Sequence, residues 1–240
     1  MPFPEPPPEQ PDDLPPERDM PRHGFRGDRP APSPAAAPAS LTVAISREAG
    51  SRGTSIARRA GSKLGWQVYT QELLEYIAQE GSFRQDLMSA VSPAGARWSE
   101  ERLDQLLREQ NLSQHPSVGN MARIILALAA QGEVIVIGRG AGCILPPETT
   151  LNVRVVAPLA DRIAYMAQWL RLTMEEAAEQ VRLRDGRRAQ FLEMHFHRQP
   201  ADVYQYDLVL NSSLLGEDLC AELITQAARA KLAGLARQPG

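Results

Sequence analysis

From residue 41 onward, short β-branched apolar runs alternate with longer stretches in which apolar residues recur every three or four positions. Residues 41–45, 133–137, 151–156 and 206–210 read as strands, with a shorter one at 67–69. Helical spacing predicts helices over 56–64, 71–80, 117–130, 159–170 and 217–235. Thr173 and Glu176 form a capping box, in which side chain and backbone satisfy each other's orphan N–H groups. The helix it opens runs through Arg182 and continues, broken or bent, to about His195. Residues 81–116 hold Pro93, Gly95 and Pro116 around one helical pattern at 100–109, which reads as an inserted helical lobe. Strands separated by helices predict an α/β fold, a parallel sheet flanked by helices.

Composition divides the chain. Residues 1–40 contain 13 of the 20 prolines, seven acidic and four basic side chains, and almost no large apolar residues. Proline lacks the N–H that helices and central strands need. Such a segment buries too little apolar surface to offset its ordering entropy. It is expected to be a disordered, partly polyproline-II arm, most simply a solubilising tail. Residues 41–240 are long enough for one domain with a sizeable core.

That part carries 22 basic and 22 acidic residues. Formal neutrality argues against broad binding to nucleic acid, which calls for a basic face. Cys143 and Cys220 are too few for a disulfide framework or a zinc site. No leader pattern and no long apolar run is present, so a cytoplasmic protein without a membrane partner is expected.

Three constellations carry candidate chemistry. The first strand runs into Gly50, Ser51, Arg52 and Gly53, and then Thr54 and Ser55 open a helix. A glycine-bearing turn at a helix N-terminus can aim several N–H groups at a phosphate. The complete pattern is G-x-x-x-x-G-K-[ST]. With Thr54 on its last position, Arg47 and Arg52 stand at the two glycines and Gly53 at the lysine. The second constellation is Gly138-Arg139-Gly140-Ala141-Gly142 at the end of a buried strand, where α/β sheets bind ligands. The third is the run Arg182, Arg184, Asp185, Arg187 and Arg188, rich in the planar forks that suit phosphate oxygens. His195 and His197 share a face only in an extended chain and are weak metal candidates. Trp66, Trp98 and Trp169 read as packing residues.

Taken in order, these pieces resemble the cytidylate kinase-like family of P-loop proteins over nearly all of residues 41–235. The resemblance is carried by residues 45–53, by Ile137-Gly138-Arg139-Gly140, by Asp185 with Arg188 and Ala189, and by residues 206–211. It implies a P-loop NTPase fold with a helical monophosphate-binding lobe and an arginine-bearing lid. By position, Gly50, Ser51, Arg52, Gly53, Thr54 and Ser55 would hold the ATP phosphates, and Thr54 or Ser55 would face Mg²⁺. Arg139, Arg182 and Asp185 would hold the monophosphate, Arg184 and Arg188 would act in catalysis, and Asn211 and Ser212 would lie near the adenine. The chain departs from the pattern of bacterial cytidylate kinases at Ile137 and Gly140, which stand at two acidic positions, and at Gly53. The expected activity is ATP-dependent phosphoryl transfer to CMP or a related pyrimidine monophosphate. The alternatives are a nucleotide-sensing module and a kinase of another substrate.

A chain beginning at Ser40 is expected to keep the melting temperature and nucleotide affinity of the full chain. A large fall in melting temperature on truncation would show that the arm packs on the domain.

Overall fold

A computed structural model describes residues 40–109 and 112–237. The chain divides into two units, Met1–Ser33 and Pro34–Gly240, and the described residues belong to the second. The proline-rich arm expected over residues 1–40 lies outside them, apart from Ser40.

Five parallel strands form one sheet in the order β2-β3-β1-β4-β5. They are β1 (Thr42–Arg47), β2 (Gln67–Tyr69), β3 (Val134–Ile137), β4 (Thr150–Val156) and β5 (Leu208–Asn211). Between them run α1 (Gly53–Leu64), α2 (Gln71–Gln79), α3 (Gly81–Ala90), α4 (Pro93–Arg108), α5 (Pro116–Gln131), the short α6 (Ala141–Ile144), α7 (Leu159–Leu170), α8 (Met174–Phe196) and α9 (Ser212–Leu235). The sheet pairs throughout in parallel, with Val43 opposite both Ile135 and Leu151.

Side chains alternate across the pleat and so feed two cores. Val43, Ile45, Ile135, Ile137, Leu151, Val153 and Val155 pack toward α1 and α9. Ala44, Val134 and Val136 pack toward α2, α4 and α5. On β4 the residues that alternate with Leu151, Val153 and Val155 are Asn152 and Arg154, and both line an open cleft. A third small cluster, Ala49, Met166, Ala177 and Val181, joins α7 to α8.

The inserted lobe is more helical than the sequence pattern indicates. Pro93 does not break its helix but occupies the first turn, where the missing N–H costs nothing, and Ser92 caps it. Pro116 opens α5 in the same way. Helix α8 runs unbroken across Gly186, behind the capping box of Thr173 and Glu176. The last helix begins at Ser212 and turns sharply at Gly216 (φ 73°). Trp66 and Trp98 are buried, whereas Trp169 is 63% exposed and stacks on Tyr165. None of the described helices is long and apolar enough to cross a membrane.

Order 2-3-1-4-5 means that the chain leaves β1 toward one edge and later crosses to the other. The carboxyl ends of β1, β3 and β4 therefore bound a crevice of the kind in which open α/β sheets bind ligands. The turn after β1 is held against α7, and a Cβ on Gly50 (φ 81°) would lie 2.5 Å from the Arg162 carbonyl oxygen. Gly50→Ala is expected to cost at least about 2 kcal/mol, from the left-handed backbone and the carbonyl clash together. Chemical denaturation checks this, and an unchanged midpoint would show that the turn shifts freely.

Candidate functional site

Two anion-seeking features meet at the carboxyl ends of β1, β3 and β4. The first is the turn from β1 into α1. Gly50 and Arg52 (φ 59°) both adopt left-handed backbone, and Arg52 is the N-cap of α1. The first backbone bond of the helix is Ile56 N–H to Arg52 C=O. The N–H groups of Arg52, Gly53, Thr54 and Ser55 consequently have no acceptor among the described residues. Four free donors at a helix N-terminus are an arrangement that favours an anion.

Side chains of this turn are mostly engaged elsewhere. Ser51 is buried and donates to the carbonyls of Glu48 and Val155, at 2.9 and 3.2 Å. Ser55 donates to the Glu217 carboxylate of α9. Arg52 points outward, its guanidinium carbon 5.0 Å from the Tyr165 ring centroid and its Nε 3.9 Å from Glu217. Arg59 lies 3.3 Å from the same carboxylate. Thr54 has a hydroxyl without a protein partner among the described residues. Asn211 caps α9 by accepting from Ser213 and Leu214, and Ser212 is buried, donating to the Ser51 carbonyl at 2.8 Å.

The second feature is a cleft of about 780 Å³ beside this turn. Arg47, Arg139, Arg154, Arg184, Arg187 and Arg188 line it, against Glu48, Glu72 and Asp185. Arg154 lies 3.7 Å from Glu48 and donates to Ser46 Oγ at 2.9 Å. Arg139 pairs with Glu75 of α2. Arg188 reaches Asp185 at 3.4 Å and the Arg47 carbonyl at 3.3 Å. Asp185 is itself locked onto the turn, accepting from Ala49 N–H at 2.7 Å and from Arg162 at 2.5 Å. The Arg47 guanidinium has no carboxylate or carbonyl partner among the described residues.

Burial pushes Arg47 down to about 10, with the like charges of Arg188 and Arg139 adding to the effect and Glu72 opposing it. Burial lowers Arg139 and Arg188 as well. Burial works to raise the Glu72 carboxyl, but its own backbone N–H, the Thr70 hydroxyl, Arg47 and Arg139 hold it below its ordinary value. Burial pushes the Cys143 thiol, on the cleft wall, up to about 11 and keeps it protonated. The field in the cleft is thus that of crowded, poorly hydrated cations.

Of the residues singled out in the sequence, Arg139, Arg184, Asp185 and Arg188 line this cleft. Arg182 is exposed on α8 and lies outside it, as do residues 50–55, Asn211 and Ser212. His195 bonds to Ser113 and packs on Phe191, while His197 is exposed beyond the helix end. Among the described residues no group of three or more His, Cys, Asp or Glu could hold a metal. Sequence reasoning passed over Asn152, Arg154, Arg162, Glu48 and Glu72. The alternation of Leu151, Val153 and Val155 with Asn152 and Arg154 was a usable signal, because it leaves one face of β4 polar.

The departures at Ile137, Gly140 and Gly53 have local causes. Ile137 is fully buried in the core. Gly140 (φ 70°) faces Phe196, and a Cβ there would sit 2.4 Å from the ring. Gly53 faces the stem of Arg47, whose Cβ would lie 2.7 Å from any added methyl.

Comparison with known proteins accords with this geometry. The cytidylate kinase-like family matches residues 42–214. The chain is similar to a cytidylate kinase from Ignicoccus hospitalis, 25% identical over 182 residues that cover 76% of this chain and 95% of that one. In fold it is similar to an uncharacterized protein from Eubacterium ventriosum, with a TM-score of 0.56 at 16% identity, covering 80% of this chain and 99% of that one. A shikimate kinase from Bacteroides thetaiotaomicron aligns over 80% of this chain and 98% of its own, with a TM-score of 0.44 at 14% identity.

Glu217 places a carboxylate beside Ser55 at the mouth of the cradle. Glu217→Gln is expected to tighten ATP binding by about two- to tenfold at low salt, and by less at high salt, because the repulsion is only partly shielded from solvent. Titration at two ionic strengths checks this, and unchanged affinity at both would mean that the carboxylate swings clear on binding.

Proposed function

The chain belongs to the cytidylate kinase-like family, and from that premise we propose that it transfers a phosphoryl group from ATP, with Mg²⁺, to CMP or a related pyrimidine monophosphate. The observation that carries this reading is a pair of neighbouring anion-seeking features: free N–H groups at the start of α1, and an arginine-lined cleft at the ends of β1, β3 and β4. Phosphoryl transfer asks a protein mainly to position two phosphates in line and to stabilise the charge that spreads between them.

In this reading the N–H groups of Arg52, Gly53, Thr54 and Ser55 hold the ATP phosphates, and Thr54 offers the free hydroxyl for Mg²⁺. When bound, ATP supplies the γ-phosphoryl group, whose bond to the β,γ-bridging oxygen breaks as one forms to an acceptor phosphate oxygen. Arg139 and Arg154 hold the acceptor phosphate from the sheet side. Arg184 and Arg188 approach from α8 and meet the charge that develops in transfer. Asp185 keeps α8 seated on the turn through Ala49 and Arg162. Asn152, Gln205 and Tyr206 add amide and phenol groups to the cleft wall.

A second reading, a nucleotide-sensing module, is favoured by the Glu217 carboxylate on Ser55 and by the absence of acidic groups at Ile137 and Gly140. ADP production with CMP, dCMP and UMP separates the two. In a working kinase, Arg188→Ala or Arg184→Ala lowers kcat by at least about 100-fold, the size of losing one oriented donor at a charged transition state. The ATP dissociation constant moves little. If the wild type binds ATP and transfers phosphate to none of the three, the kinase reading fails.

A further inference from the structure

The complete phosphate-loop pattern contains a lysine that reaches the β- and γ-phosphates, and this chain has glycine there. We infer that Arg47 supplies that cation, entering from the end of β1 instead of from α1. This assignment rests on the phosphoryl-transfer reading of the cleft.

Three observations point to it. The Arg47 stem runs over position 53: a Cβ on Gly53 would lie 2.7 Å from Arg47 Cβ and 3.2 Å from its Cγ. A side chain at 53 and the present course of Arg47 therefore exclude each other. The guanidinium ends at Gly138, where an added Cβ would meet Nη1 at 2.5 Å, so it spans from the turn after β1 to the turn after β3. Gly138 (φ 78°) is a glycine on both grounds, its backbone and that contact.

The third observation is what the guanidinium lacks. Arg139, Arg154, Arg162 and Arg188 each have a carboxylate within 4.0 Å, whereas Arg47 has none among the described residues. It is turned into the cleft next to other cations. A poorly hydrated cation beside like charges is costly unless an anion joins it. Among the described residues Glu72 offsets part of that cost without contacting the guanidinium, and a phosphate between the start of α1 and the cleft would offset the rest. The arginine fork differs from a lysine point charge in offering two parallel donors, enough to touch two phosphate oxygens at once.

The test uses the full chain and four proteins: wild type, Arg47→Met, Arg47→Gly, and Arg47→Gly combined with Gly53→Lys. Methionine keeps an apolar stem over Gly53 and removes only the charge. Binding of inorganic pyrophosphate and of ATP is read by calorimetry, phosphoryl transfer by ADP production, and folding by melting temperature. Arg47→Met is expected to melt at or above the wild-type temperature, because a buried charge without a partner is gone. It is expected to bind pyrophosphate at least about tenfold more weakly, the loss of one charge-assisted contact. Moving the cation to position 53 in the double variant is expected to recover at least about tenfold of the affinity that Arg47→Gly loses.

Wild-type pyrophosphate affinity in a folded Arg47→Met would overturn the assignment, as would a folded double variant that binds no better than Arg47→Gly. If the wild type transfers phosphate to no monophosphate while Arg47→Met still weakens pyrophosphate binding, the kinase reading fails and the anion role of Arg47 stands.

Discussion

The buried guanidinium of Arg162 ties together the segments that make the crevice. It is 9% exposed and sits in the first turn of α7. From there it donates to the carbonyls of Ala157 and Ala49, meets Glu48 at 3.3 Å and bonds Asp185 of α8 at 2.5 Å. The end of β4, the turn after β1 and α8 are thereby joined through one cation. A buried charge holds only when paired and hydrogen-bonded, and losing a partner from such a pair costs about 3–5 kcal/mol. The geometry of the turn after β1 is accordingly set as much by α7 and α8 as by its own glycines.

The same network fixes how the two halves of the crevice communicate. Asp185 accepts from Ala49 N–H inside the turn and, three residues along α8, Arg188 donates to the Arg47 carbonyl. Movement of α8 away from the turn must break both contacts. Helix α8 is thereby seated on the turn through both ends of one helical turn. The crowded cations of the cleft carry a cost, since burial and like charges both lower Arg47.

The three departures from the familiar pattern form one consistent packing solution. Phe196 at the end of α8 fills the space at Gly140. Ile137 is absorbed by the core between the sheet and α1. The stem of Arg47 fills the space at Gly53. At Gly140 and Gly53 an added side chain would meet a filled site, and at Ile137 a carboxylate would be buried in the apolar core.

The sequence by itself determined the elements and their order. Apolar runs with β-branched residues and helical spacing are local properties, and they mark β1, β3, β4, α5 and α8 within a few residues. The glycine turn between β1 and α1 was legible for the same reason, because it is a local arrangement of backbone. The capping box at Thr173 and Glu176 formed as its spacing indicates. Pro93 and Pro116 read as interruptions, yet each starts a helix, since one proline serves both purposes and only the surrounding chain decides which. The tertiary structure alone decided which side chains share the crevice. Arg47, Arg139, Arg154 and Arg188 come from four elements separated by up to 141 residues, and the 2-3-1-4-5 strand order brings them together. Arg182 and Arg184 are two positions apart on one helix, and the turn of that helix places one outside the cleft and the other on its wall. Whether an arginine is solvated, paired or left waiting for an anion depends on burial and neighbours, which no local pattern encodes.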